Sequence, residues 1–338
     1  MLAELKIQGF KCFDSEKFKL KNLTLLTGMN STGKTAVLQA LLFLMQCKNE
    51  KRLLNERIGL ETIQEIRNRI TVPEKISIEC ICGQEMCKLL IDLMGYIEAT
   101  NTSKLPKELI YLSSEHCYIA DDYAKNVMQA CWLEEHEEYS LCYLIHEWSN
   151  ELKEPQFITL GVARNLEDQV NYWLNYVIDY SVTLEKDLEG AIHIFYYHGV
   201  DNHKIKPDNA GAGVRYVTNI IMAALSCTKE SVFIVENPEL FLHPRMQSRL
   251  MDFLCYLAEN GLQIIIETHS DYMLSTARIN IKNDAISREK VQVYYFVQDS
   301  NQLIKPVIIQ INDDGTIQNY VEGFLDQFDE EFDELLDL

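Results

Sequence analysis

Four stretches of this 338-residue chain hold residues whose types and spacing suit chemistry. The first, "GMNSTGKT", comprises Gly28, Met29, Asn30, Ser31, Thr32, Gly33, Lys34 and Thr35 and fits the spacing G-x-x-x-x-G-K-[ST]. Its glycines let the backbone curl tightly, so that main-chain N–H groups face phosphate oxygens. Lys34 would then reach the β- and γ-phosphates of a nucleotide such as ATP, and Thr35 would offer a hydroxyl to Mg²⁺. An apolar run, "LTLLTG", precedes the loop and a helical run, "AVLQALLFL", follows it, which is the context such a cradle needs. A helix start that merely resembles the cradle is the alternative.

The second stretch, "SVFIVENPELFLHP", drives four apolar residues into Glu236. A carboxylate at the end of a buried strand can hold Mg²⁺ directly or through water. Asn237 follows at once, and the next acid, Glu239, comes three positions after the first. In the third, "IIIETHS", another apolar strand delivers His269 to the same strand ends, where ligands sit in open α/β sheets. A γ-phosphate-sensing role competes there with a purely structural histidine. The fourth, "NAGAGVRYV", includes Gly211, Ala212, Gly213, Val214 and Arg215 and opens a helix whose N–H groups form an anion site. One phosphate cradle is already present, so a second suggests binding the γ-phosphate held by another subunit; the bland reading is a helix-start turn.

The elements that must position these residues alternate. Strand patterns at "AELKIQGFKCF", "FKLKNLTLLTG", residues 76–82, "ELIYLSSE", "YSVTLEKD", "AIHIFYYH", "SVFIVE", "LQIIIETHS" and "VQVYYFVQ" are interleaved with helical runs. That order predicts a mostly parallel α/β sheet with flanking helices and an antiparallel β lobe. We expect an ATPase head over residues 1–311, with an N-lobe to about 85, a helical or mixed insertion at about 86–180 and a C-lobe at 181–311. An acidic tail would occupy 312–338. Phe324, Phe328, Phe332, Leu335 and Leu336 fall on one stripe of that tail, predicting an amphipathic helix docked on its own core.

Composition bounds the function. No apolar run approaches the roughly 18 residues of a membrane span. The first residues alternate apolar and polar and lack a signal-peptide pattern, so a cytoplasmic location is expected. Ten cysteines in that setting read as reduced thiols. Cys80, Cys82 and Cys87 suit alternating strand positions better than a zinc site, since no paired C-x-x-C is present. The net charge of −20 argues against general nucleic-acid binding, because phosphate neutralisation supplies most non-specific affinity. The charge is uneven: residues 1–75 hold nine Lys and four Arg against eight acids, whereas 312–338 hold ten acids and no Lys or Arg.

With the four pieces in this order, the chain resembles the ABC-type ATPases of the OLD-like and SMC-like group, and in particular a bacterial subfamily that ends in a small domain of unknown function. "LKIQGFKCF" and "LKNLTLLTGMNSTGKT" are similar to that family's opening, with Phe10 and Lys11 near the nucleotide base. "IYLSSEH" is similar to its middle strand, with His116 where an Arg is usual. "NYWLNYV", "NAGAGVRYV", "VENPELFLHPRMQSRL", "IIETHSDYML" and the C-terminal "INDDGTIQNYVEGFLDQFDEEFDELL" follow in the family's order.

The resemblance implies a Mg²⁺-dependent ATPase that forms a homodimer or higher oligomer on ATP, each phosphate loop facing the other subunit's signature turn, 211–215. It implies work in antiviral defence or DNA maintenance beside an effector. Only about seventy residues follow His269, so the effector, a nuclease or toxin, would be a separate chain, with nucleic acid engaged through the complex. Many relatives place a catalytic carboxylate where Asn237 stands. Three readings stay open: Glu239 supplies the carboxylate, Asn237 alone orients the water, or the chain is an ATP-dependent dimeric scaffold with little turnover. A transporter ATPase fits less well, because the turn lacks a Ser-Gly-Gly-Gln pattern.

Overall fold

The computed structural model describes residues 1–46, 63–106, 108–113, 131–132, 148–186, 192–199, 203–299, 303–319, 321–326 and 334–335. His116 lies outside them, as do residues 320, 327–333 and 336–338 of the tail. In chain order the elements are β1 (Leu2–Phe10), β2 (Phe13–Lys19), β3 (Leu23–Gly28), α1 (Lys34–Gln46), α2 (Ile63–Ile66), β4 (Lys75–Cys82), β5 (Glu85–Asp92), β6 (Ile97–Thr100), β7 (Leu109–Leu112), β8 (Cys131–Trp132), α3 (Leu166–Ile178), β9 (Tyr180–Lys186), β10 (Ile192–His198), α4 (Ala212–Ser226), β11 (Val232–Glu236), α5 (Pro244–Glu259), β12 (Gln263–Glu267), α6 (Asp271–Lys282), β13 (Val291–Gln298) and β14 (Ile304–Ile309). They form two compact units. A split unit joins Leu2–Lys104 to Thr268–Leu338, and a central unit holds Leu105–Glu267 with Met1.

In the split unit, β1 alternates buried Leu5 and Ile7 with half-exposed Glu4 and Lys6, as a strand with one wet face does. It lies antiparallel between β2 and β4, and β5 and β6 extend that sheet. β3 is buried at all six residues. It runs parallel to β13, which pairs antiparallel with β14. A strand buried at every residue is covered on both faces. Phe18 ties the two sheets, with ring centroids 5.3 Å from Tyr294 and 6.1 Å from Phe296. The Tyr294 hydroxyl accepts from Lys19 N at 2.6 Å and donates to Lys19 O at 3.1 Å. α1 is apolar almost all round, and Val37, Leu38, Leu41 and Phe43 are all buried, as befits a core helix.

In the central unit, β12, β11 and β7 run parallel in that order, and β8 lies antiparallel on β7. β11 and β12 are buried at every position. α3 begins at Asn165, whose side chain accepts from Asp168 N at 2.8 Å, and ends on a left-handed Asp179 at φ 62°. Its Trp173 ring centroid lies 5.0 Å from that of Phe253 of α5, the rings tilted by 54°. β9 and β10 form a separate hairpin.

Cys80 and Cys87 are buried cross-strand partners on β4 and β5, and Cys82 Sγ lies 3.9 Å from Cys87 Sγ. Among the described residues, no group of three His, Cys, Asp or Glu could hold a metal ion. Nor is any helix among them long and apolar enough to cross a membrane.

The tail departs from the expected single helix at its start. Gly323 and Leu325 sit at φ 81° and 59°, conformations an α-helix does not contain. There the chain turns so that Phe324 buries its ring 5.3 Å from Tyr295, while the Tyr295 hydroxyl donates to Gly323 O at 2.7 Å. A Cβ at Gly323 would meet that hydroxyl at 2.7 Å. Phe324 is therefore docked on the split unit; Phe328, Phe332 and Leu336 lie outside the described residues.

Candidate functional site

The split unit carries the phosphate loop. β3 ends at Gly28, where φ is 138° and a Cβ would meet Phe296 O at 2.8 Å. Only glycine lets this strand lie so close to β13 while turning away. At Gly33, φ 89°, a Cβ would fall 2.3 Å from Cys12 Sγ. Between them Met29, Asn30 and Ser31 are exposed, and Thr32 is buried with its hydroxyl on Met29 O at 2.7 Å. Lys34 is only 3% exposed. Its ammonium donates to Gly28 O at 3.0 Å and Met29 O at 2.7 Å. Thr35 follows in the first turn of α1.

His269 belongs to the same unit. Thr268 N donates to Leu26 O at 3.0 Å, which seats the histidine's segment beside the end of β3. Burial, and after it the Lys34 charge, hold the imidazole below its usual pKa, while a hydrogen bond with the Gly28 main chain opposes them. The structure thus brings His269, Lys34 and Gly28 together.

The central unit carries the acid. Glu236 ends β11 and is 5% exposed. Tyr111 donates its phenol hydrogen to Oε1, and the Ser113 hydroxyl lies 3.3 Å from Oε2. Burial, then the Glu236 charge, push the Tyr111 phenol well above its usual range, so it stays a donor. The Glu236–Asn237 peptide is held at both ends: Tyr216 donates to Glu236 O, and Asn237 N donates to Glu267 O at 2.7 Å. Asn237 sits at φ 44°, a left-handed conformation asparagine tolerates better than most residues. Its Oδ1 is buried with no hydrogen-bond partner among the described residues. Glu239 lies in the following turn, where Leu240 N donates to Asn237 O at 3.0 Å and Leu242 N to Glu239 O at 3.1 Å.

The glycine-containing turn is in the same unit. Gly211 caps α4, with Val214 N donating to Gly211 O at 3.0 Å and Arg215 N at 3.3 Å. Ala212 and Gly213 form its first turn. A Cβ on Gly213 would meet Phe241 O at 2.7 Å, so the loop after Glu236 packs directly on the helix start.

Sequence reading missed Tyr111, Ser113, Tyr216 and Phe296. A signal existed for two of them: Tyr111 interrupts the apolar run "LIYL", and Tyr216 is a buried phenol in an apolar helix face. Buried tyrosines need a hydrogen-bond partner.

The residues fit a magnesium nucleotide. The loop holds a lysine whose ammonium already binds oxygen atoms, next to three exposed loop residues. Glu236 is a hard oxygen donor of the kind Mg²⁺ prefers.

Family models match the sequence in parts. "AAA ATPase domain" matches residues 1–140, and "AAA domain, putative AbiEii toxin, Type IV TA system" matches 126–275. "Protein of unknown function (DUF3696)" matches 286–335. No curated protein matches the chain in sequence. Among solved structures the chain is similar to an SMC head bound to the C-winged helix domain of ScpA, with a TM-score of 0.64 and 12% identity over 92% of this chain and 98% of that one. A similar likeness holds to an Smc head with an extended coiled coil bound to the C-terminal domain of ScpA from Pyrococcus furiosus, at TM-score 0.60 and 11% identity over 99% of each chain. The SMC head domain from Thermotoga maritima follows, at 0.50 and 10% over 92% and 99%. At these identities the likeness is one of fold.

Proposed function

We propose that this chain, whose sequence matches AAA-type ATPase domain models in parts and whose fold is similar to that of SMC heads, is an ABC/SMC-type P-loop ATPase that binds ATP with Mg²⁺, hydrolyses it slowly and dimerises on it. In this reading it is the switch subunit of a cytoplasmic antiviral-defence or DNA-transaction complex whose effector, a nuclease or toxin, is a separate chain. The observation that carries the proposal is the phosphate loop, with its two positive-φ glycines and a buried lysine held on loop carbonyls. ScpA bound to SMC heads, and a toxin in one matching family's description, support a protein partner.

On binding, Lys34 exchanges its carbonyls for phosphate oxygens, and the loop's N–H groups add fixed partial charges. Thr35 and Glu236 are the residues proposed to hold the metal, which neutralises phosphate charge when bound. Phosphoryl transfer depends mostly on positioning and charge stabilisation. Asn237 cannot take a proton, but its unpartnered Oδ1 can accept one hydrogen of a water and so orient it. Glu239, in the same turn, is the nearest carboxylate in sequence able to act as base. His269 senses the γ-phosphate. The turn 211–215 engages the nucleotide of the second copy.

The amide at position 237 specifically favours a second reading, an ATP-dependent dimeric scaffold with little turnover. Steady-state phosphate release and dimer lifetime in ATP, measured for wild type, Glu239→Gln and Asn237→Ala, separate the two. We expect slow release by wild type, a loss of about tenfold or more for Glu239→Gln and a smaller loss for Asn237→Ala. Normal turnover by Glu239→Gln removes the carboxylate from the mechanism. No release by wild type, alone or with partner and DNA, leaves the scaffold.

A further inference from the structure

We infer that Tyr216 is a positioning residue that couples the helix carrying the 211–215 turn to the chain's own catalytic loop; this rests on the ATPase reading above. The coupling runs through a single peptide bond. Its carbonyl belongs to Glu236 and accepts from Tyr216; its N–H belongs to Asn237 and donates to Glu267 O at 2.7 Å. A peptide unit is planar and stiff, so holding both polar atoms fixes its plane. That plane sets the direction in which the Glu236 side chain leaves the strand and the one in which Asn237 enters the loop.

Three features make the link more than a buried phenol finding an acceptor. First, Tyr216 lies in the first turns of α4, five residues after Gly211, so a shift of the turn carries its ring along. Second, the same helix start is pressed on the far side of the loop, because Gly213 has no room for a Cβ against Phe241 O. Helix and loop therefore touch at two places, one at each end of residues 236–241. Third, Asn237 sits at φ 44° with Oδ1 buried and without a partner among the described residues. A left-handed residue with an unmet acceptor stays where it is only while its surroundings hold it.

Glu236 itself is held separately, by Tyr111 and Ser113. Loss of the Tyr216 hydroxyl should therefore leave the acid in place and release Asn237. When the turn engages the second copy's nucleotide, α4 is drawn with it, and the Glu236–Asn237 peptide is set for water. Each copy thus reports the other's occupancy to its own loop.

Tyr216→Phe keeps the ring and removes only the donor. In the full chain we expect kcat for phosphate release to fall about tenfold, as misplacement near the reacting groups does, while KM for ATP stays within about twofold. ATP affinity by calorimetry should be unchanged. In an Asn237→Ala background the same substitution should change kcat by less than about twofold, because the two act through one peptide. A merely structural tyrosine would lower kcat by the same factor in both backgrounds, and that result overturns the inference. So does a Tyr216→Phe kcat equal to wild type. If wild type binds ATP and releases no phosphate, the hydrolysis reading falls with this one; if wild type binds ATP no better than Lys34→Ala, the ATPase reading itself is what has failed.

Discussion

The two units hold their charged groups in opposite ways. In the split unit, Lys34 is buried but leans on the carbonyls of its own loop, 3.0 and 2.7 Å away. Those acceptors are stand-ins, since a main-chain carbonyl carries only a partial charge and phosphate oxygens bind an ammonium more strongly. In the central unit, Glu236 is buried against a phenol and a serine hydroxyl that come from another strand, and its carbonyl against a second phenol. Nothing there needs replacing. On the proposed reading the cation is the group that moves on ligand binding, whereas the acid is already fixed by the fold.

The largest effect should come from the mobile side. Lys34→Ala removes a charge-assisted contact and should lower ATP affinity about 100-fold, read by calorimetry with Mg²⁺ present. The apo fold should lose about 1–3 kcal/mol, because Met29 is exposed but the Gly28 carbonyl is buried and loses this donor. Equal affinity in mutant and wild type would sink the loop assignment, and a collapse of the apo fold would show that the lysine's carbonyl contacts are structural rather than provisional.

Next comes the fixed side. Tyr111→Phe deletes a hydroxyl that binds the carboxylate and should cost about 1–2 kcal/mol of stability. Turnover should fall several-fold with ATP affinity unchanged. Urea denaturation and phosphate release check the two halves. A variant with full activity would mean that Glu236 is held in place without this phenol.

The smallest effect concerns His269. Its pKa is lowered by burial and by Lys34, so folding favours the neutral ring. The stability this contributes is present above the ordinary histidine value of about 6.5 and is lost as pH falls through the lowered value. Wild type should therefore lose more thermal stability between pH 7.5 and 5.5 than His269→Gln. Parallel melting curves for the two proteins across that window would refute it.

Legibility in the sequence followed the same divide. Gly28 to Thr35 and the Glu236 strand are contiguous motifs whose chemistry is written in consecutive residues, and periodicity placed β3, α1, α4, β11 and β12 around them. The partners of Glu236 were not legible, because Tyr111 and Tyr216 reach it across 125 and 20 residues of chain. Only the register of β7 on β11, with Tyr111 beside Ile234, brings the phenol there. The tail was misread at its start for a related reason. Apolar spacing at four-residue intervals is real in the sequence, but a tyrosine hydroxyl from β13 claims the Gly323 carbonyl, and the glycine's positive φ lets the chain turn to meet it.

One feature of the split unit bears on how the protein comes into being. The floor under the phosphate loop is the β13 backbone at Phe296, pressed against Gly28, and the same strand's Tyr294 grips Lys19 at a sequence separation of 275. Chains leave the ribosome from the N-terminus at roughly 5–20 residues per second. The loop sequence is thus made early, yet its supporting strand emerges about a quarter of a minute or more later, after the whole central unit. A nascent chain cannot hold the loop in shape during that interval, and closing so long a loop is entropically costly unless the intervening unit has already folded. The order of synthesis therefore makes the support of the phosphate loop a late acquisition, which only a chain translated through β13 can have.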